Sequence, residues 1–339
     1  MQYQHSLARA ALAGLLYLAF ACGSDGPKGE MTDEQKLGYY LENALRFWEM
    51  KELDRTEDQA LRGLEVDPDS EILLLLVGWV RLRRGSAEDI LSAIVIFEDL
   101  ESTDDYRVNL GLGEAFERKG VFYDEASRDI ASGRRFTDAR DPEQRSIELA
   151  DISFDSWQES IDSYERALEL KPENRDAFNG LLRVTSLMGR NHESIGWAKK
   201  LLALLETNVT FWRKQLERPE ITARDERRFR NLLKADTDLE VGARLHTATV
   251  FRLIGLNEEA VAFLDRVIEL DPELAEAYSR RAQILFELGR YEKASYSIDR
   301  FLAISKFAFE HPSITKALEL QSDCALAMAR ERAELAPSR

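Results

Sequence analysis

Cysteine and histidine are scarce in this chain, and their scarcity removes most site chemistry. The 339 residues hold two cysteines, Cys22 and Cys324, and four histidines, His5, His192, His246 and His311. No histidine shares a helix face with Cys, Asp or Glu at metal-ligand spacing. A phosphate-cradling glycine loop, a nucleophile elbow and a zincin signature are all missing. No catalytic residue, no metal site, no cofactor and no small-molecule substrate are therefore expected, and the chain does not read as an enzyme. Basic residues are outnumbered, 46 Lys+Arg against 62 Asp+Glu, for a net charge of −16. Without a basic stripe it is a poor ligand for nucleic acid, because phosphate binding relies on Lys and Arg displacing counterions. The same average charge is expected to repel anionic lipid, so membrane attachment would have to be covalent or apolar. Val/Ile/Thr alternation between hairpin turns is missing too. What recurs is apolar residues at three- and four-residue intervals, which places the chain in the all-α class.

The first 30 residues differ in kind. Arg9 precedes an apolar run from Ala10 to Ala21, followed by Cys22 and a small polar stretch. A basic start, a short apolar centre and a small-residue cleavage site describe a secretory signal peptide over residues 1–21. A bilayer span needs about 20 apolar residues, more than this run has. Leu18-Ala19-Phe20-Ala21-Cys22 resembles a bacterial lipobox, in which the cysteine is acylated and becomes the new amino terminus. That resemblance implies lipidation at Cys22, leaving Cys324 as a buried thiol without a disulfide partner. Segment 22–36 reads as a flexible tether, too polar to order itself.

Residues beyond 36 repeat. Gly63-Leu64-Glu65-Val66-Asp67-Pro68, Ala167-Leu168-Glu169-Leu170-Lys171-Pro172 and Val267-Ile268-Glu269-Leu270-Asp271-Pro272 look alike, with prolines 104 and 100 residues apart. Turn glycines at 85, 120, 189, 255 and 289 are spaced by 35, 69, 66 and 34 residues. Both markers agree on a period near 34. In residues 275–308, Tyr278, Ala282, Leu285, Gly289, Ala294, Ile298 and Phe301 occupy the places of the tetratricopeptide repeat signature, and the pattern resembles that family. The resemblance implies an all-α, right-handed α-solenoid of helix-turn-helix repeats. About eight units span 37–308, starting at 37, 71, 106, 141, 175, 208, 241 and 275. They are degenerate at 106–174 and 208–240, and residues 309–339 are expected to supply a C-terminal capping helix and tail.

In this family the first helix of each unit lines the concave groove. Its second, fifth, ninth and twelfth positions face a ligand. Here they are Gly38, Leu41, Leu45 and Trp48 in the first unit, and Ile72, Leu75, Trp79 and Leu82 in the second. Later units turn polar, with Asp176, Asn179, Arg183 and Ser186, then Glu276, Ser279, Gln283 and Phe286. The resemblance thus implies a protein or peptide partner held on an apolar amino-terminal groove. Together with the anchor, the chain resembles the lipoproteins that help assemble envelope machines such as pilus secretins. Gly23 after Cys22 points to the outer membrane, facing the periplasm. The competing reading is an envelope enzyme or hydrolase regulator whose site lies in 106–160 or 208–240, where insertions would carry function.

Overall fold

The computed structural model describes residues 31–102, 104–308 and 310–335. Cys22, the expected leader and most of the expected tether lie outside them. Among the described residues every regular element is a helix, as the sequence pattern implied, and the chain forms two compact units that meet in sequence at Pro172 and Glu173.

The first unit holds three hairpins, α1 (Asp33–Glu49) with α2 (Leu53–Val66), α3 (Glu71–Arg84) with α4 (Ala87–Asp99), and α5 (Tyr106–Ala131) with α6 (Pro142–Leu170). Helix α1 starts inside the segment read as tether. Thr32 and Gln35 form a capping box: the Gln35 N–H donates to Thr32 Oγ1 (3.3 Å) and the Thr32 N–H donates to Gln35 Oε1 (3.0 Å), which satisfies two otherwise orphaned donors. Helices α2 and α6 stop two residues before Pro68 and Pro172. Asp67 and Lys171 sit extended there, because a following proline disfavours the helical region.

Between α3 and α5 the packing depends on absent side chains. Phe97, fully buried, lies between Gly78 and Gly111, and a Cβ on either glycine would come within 2.6 Å of its ring. Gly78 occupies a small-residue position of the repeat. Its purpose is to let neighbouring helices admit an aromatic ring.

Blocks 106–140 and 141–174 do not form two repeats; they form one long hairpin. Gly120, read as a turn glycine, lies in the middle of α5 and is buried. The reason is a seven-residue pattern running antiparallel along both helices. The Ser160 hydroxyl donates to the Gly113 carbonyl (2.7 Å), Ser153 to that of Gly120 (2.8 Å), and Ser127 and Ser146 donate to each other's carbonyls (2.7 and 3.0 Å). Small residues every seventh position keep one seam facing the partner helix over many turns, as in a coiled coil. Trp157 and Tyr164, also seven apart, close over Gly120 and Gly113.

The second unit comprises α7 (Arg175–Leu187) with α8 (Asn191–Leu216), α9 (Ala223–Leu253) with α10 (Asn257–Leu270), α11 (Ala275–Glu287) with α12 (Tyr291–Ile304), and α13 (Pro312–Leu335). Gly189, Gly255 and Gly289 turn these hairpins at φ between 71° and 79°, a left-handed conformation that side chains resist. The core unites Ala248, Ala260, Ala282 and Ala294 with Leu264, Leu285, Ile298 and Phe301. Helix α13 packs on α12 through Ile314, Ala317 and Cys324. Cys324 is free and buried. Block 208–240 makes no hairpin of its own, but lengthens α8 and α9 to 26 and 31 residues beside the 13-residue α7. Among the described residues the eight expected registers thus become six helix pairs and a terminal helix.

Candidate functional site

First helices of the pairs carry the residues of interest. In the first unit these are α1, α3 and α5, with α3 and α5 in direct contact. Leu41 and Trp48 are half-buried against Ala44, Ala60, Leu73, Leu76 and Val77, while Leu45 is 39% exposed. Ile72 and Trp79 on α3 are half-buried. The Trp79 indole meets the Phe97 ring edge to face at 5.7 Å, with the Arg83 guanidinium 5.7 Å from its centre. Half its surface thus stiffens the core and the remainder lies open beside a cation.

Two of the eight amino-terminal groove residues are not surface at all. Leu75 is 6% exposed and Leu82 fully buried, both packed with Ile90, Phe97 and Leu112. Helix α3 is contacted by α2, α4 and α5, so its sequence is apolar on every side and periodicity does not single out a ligand face. Trp48 and Trp79 belong to separate clusters. With Leu75 and Leu82 in the core, they join Leu45 in no continuous apolar surface.

What the sequence reading missed is a set of arginine ties between successive first helices. Arg118 on α5 donates to the Leu82 carbonyl (2.6 Å) and pairs with Glu114, which also lies 3.7 Å from Arg83. In the second unit Arg252 on α9 pairs with Gln283 (3.1 Å) and Glu287 (2.5 Å) on α11, and Arg280 returns to Thr249 and the Leu245 carbonyl. Glu114 and Arg118 are a helical i,i+4 pair, the one part of this pattern visible in sequence. Asp176 and Glu276 are exposed, whereas Asn179, Ser279 and Gln283 are half-buried and Phe286 packs on Tyr291.

His246, on α9, is the group most perturbed by these surroundings. Burial, then the charges of Arg183 on α7 and Arg280 on α11, lower its pKa to about 4, and Nε2 is buried without a hydrogen-bond partner. The folded state therefore keeps His246 neutral through the range where an unfolded histidine takes up a proton. Its contribution to stability is full above pH 6.5 and is lost as pH falls towards 4, by about 3 kcal/mol. Urea unfolding from pH 7 to 4 should show this loss in the wild type, and His246→Gln should flatten that part of the profile. Equal slopes would place the acid sensitivity elsewhere. Among the described residues no group of three or more His, Cys, Asp or Glu could hold a metal.

The helix pairs, the buried small residues and the turn glycines of the second unit converge on one segment. Residues 275–306 match the tetratricopeptide repeat. Solved tetratricopeptide proteins are among the structures that the chain is similar to. One from Thermus thermophilus has 15% identity, covers 74% of this chain and 99% of its own, and superposes with a TM-score of 0.43. Another, from Parabacteroides merdae, has 14% identity, covers 85% and 99%, and has a TM-score of 0.37. No curated protein matches this chain in sequence. The matched repeat, residues 275–306, is one hairpin of an array that is helical throughout the described residues.

Proposed function

We propose that this protein is a lipid-anchored scaffold of the bacterial cell envelope, acylated at Cys22 and facing the periplasm from the outer membrane. It holds a partner protein on the first-helix faces of its amino-terminal hairpins. The observation carrying the binding role is the half-open apolar set on α1 and α3. Leu45, Trp48, Ile72 and Trp79 keep surface available, Trp79 beside Arg83, while α3 buries Leu73, Leu75, Leu76 and Leu82. Aromatic residues flanked by arginine are the side chains that dominate protein-binding energetics. The anchoring role rests on the position of Cys22 at the end of the apolar run, and a diacyl group supplies the two chains that stable attachment needs. Both irregular blocks, 106–160 and 208–240, lie in long helical hairpins interrupted only at the turns 132–141 and 217–222, which supports a scaffold over a catalytic insert.

Two experiments test this reading. Cys22→Ser should move the protein out of the membrane fraction and abolish incorporation of a fatty-acid probe. A photo-cross-linking residue at Leu45 should give one discrete adduct in cells, and the same residue at Leu91, 46% exposed on the outer helix α4, should give none. Equal cross-linking at both positions would remove the first-helix face as the binding surface.

A further inference from the structure

The net charge of −16 hides a strongly basic element at the end of the α8–α9 hairpin. Residues 211–234 hold eight cations, Arg213, Lys214, Arg218, Arg224, Arg227, Arg228, Arg230 and Lys234, against four acids, so the rest of the chain carries −20. All eight are exposed. Arg230 pairs with Glu226, Lys234 with Asp238, and Arg218 reaches Gln215. The other five, Arg213, Lys214, Arg224, Arg227 and Arg228, have no ion-pair partner among the described residues, although the molecule is rich in carboxylates.

Placement makes the group more unusual. Arg224, Arg227 and Arg228 stand at i, i+3 and i+4 on the solvent face of α9, opposite the side where Phe229, Leu232, Leu233 and Asp236 turn inwards. Like charges at that spacing repel. They also occupy the first two turns of the helix, where the macrodipole disfavours cations. Folding alone would select against such an arrangement. An anionic ligand would reverse both penalties, since a helix amino terminus and arginine forks each favour phosphate.

We propose that this hairpin end docks on anionic lipid headgroups. The cations are exposed and spread over the ends of both helices. That suits a fluid layer of phosphates better than one shaped ligand. Phe211, 40% exposed at the same end, adds an apolar contact at headgroup depth. The remainder of the chain, at −20, is repelled by the same surface, so attraction is confined to one element and sets the orientation of the second unit. This surface is independent of Cys22 and of the first-helix faces, and it revises the expectation, drawn from average charge, that anionic lipid only repels.

The test uses the full chain carrying Cys22→Ser, so that no acyl group contributes, with vesicles of phosphatidylcholine alone or mixed equally with phosphatidylglycerol. Partition onto the mixed vesicles should be roughly a hundredfold stronger at low salt and should fade as salt rises towards about 0.5 M. Arg224→Gln/Arg227→Gln/Arg228→Gln should abolish most of that difference with its melting temperature unchanged or raised. Arg134→Gln/Arg135→Gln/Arg140→Gln, at the α5–α6 turn, should keep it. A triple variant that still prefers anionic vesicles overturns the proposal. So does vesicle-free self-association at low salt that the α9 triple variant abolishes, which would seat the cations on the acidic body of a second copy.

Discussion

Gly120→Ala should destabilise the protein by about 2 kcal/mol, whereas Gly242→Ala should stabilise it by about 0.5–1 kcal/mol. Both glycines lie inside helices, α5 and α9, where alanine is normally the better residue because it restricts the unfolded chain and favours the helix. The difference is what the new methyl group meets. At Gly242 nothing lies within 4 Å; at Gly120 the methyl would sit 2.4 Å from the Trp157 indole. That indole is buried and cannot swing away, so α5 and α6 must part, and overpacking of this kind costs about 1–3 kcal/mol beyond the lost propensity gain. Gly113→Ala repeats the clash against Tyr164 at 2.6 Å, and Gly196→Ala, again with open space, repeats the gain. Parting the helices would also stretch the Ser153 and Ser160 hydroxyl bonds to the facing carbonyls. Those hydroxyls would then be buried without partners. Denaturant unfolding of the four variants reads the sign directly. A stabilised Gly120→Ala would mean that α5 and α6 do not approach closely.

That same glycine shows where sequence reading succeeds and where it stops. Turn glycines at 85, 189, 255 and 289 were legible because each has φ above 70°, a local demand that recurs with the repeat. Gly120 falls in the same series by spacing, yet it serves close packing, and one glycine letter stands for both needs. The clue that separates them was present: Gly113, Gly120 and Ser127 recur every seven residues, as do Ser146, Ser153 and Ser160. A 34-residue search does not look for that period. The groove was half legible. Position within the repeat identified Leu45 and Trp79 as surface-facing, but it also chose Leu75 and Leu82, because a helix reading Glu71-Ile72-Leu73-Leu74-Leu75-Leu76-Val77 has no polar face to mark where solvent lies. Arginine ties were lost for a different reason, since they depend on which helices neighbour one another and not on any local pattern; the basic cluster of 211–234 stands in the sequence but is hidden by a net charge of −16.

Asp236→Ala should cost about 3 kcal/mol or more and should loosen the α8–α9 hairpin before the rest of the second unit. Asp236 is 1% exposed in α9 and is held from two other helices. Arg175 of α7 pairs with one carboxylate oxygen, and the Trp212 indole N–H of α8 donates to the other at 2.8 Å. Trp212 in turn stacks on Phe229 at 5.8 Å. Since α8 and α9 overrun α7 by roughly 20 Å at 1.5 Å per residue, little beyond this point holds the two helices together. The carboxylate ties the overhanging segment to the supported one. Removing it strands a partly buried guanidinium and a half-buried indole N–H, which is far costlier than never having built the pair. Asp236→Asn keeps an acceptor for Trp212 but loses the charge and should cost roughly half as much. Arg175→Met leaves the carboxylate buried without a counter-charge, so it should be as damaging as Asp236→Ala, and the double variant Arg175→Met/Asp236→Leu should recover much of the loss. Hydrogen exchange locates the effect: in Asp236→Ala, amides of 205–235 should exchange faster while those of α11 and α12 keep their protection. Uniformly faster exchange, or additive losses in the double variant, would show that Asp236 supports the core in general and does not tie this hairpin to it.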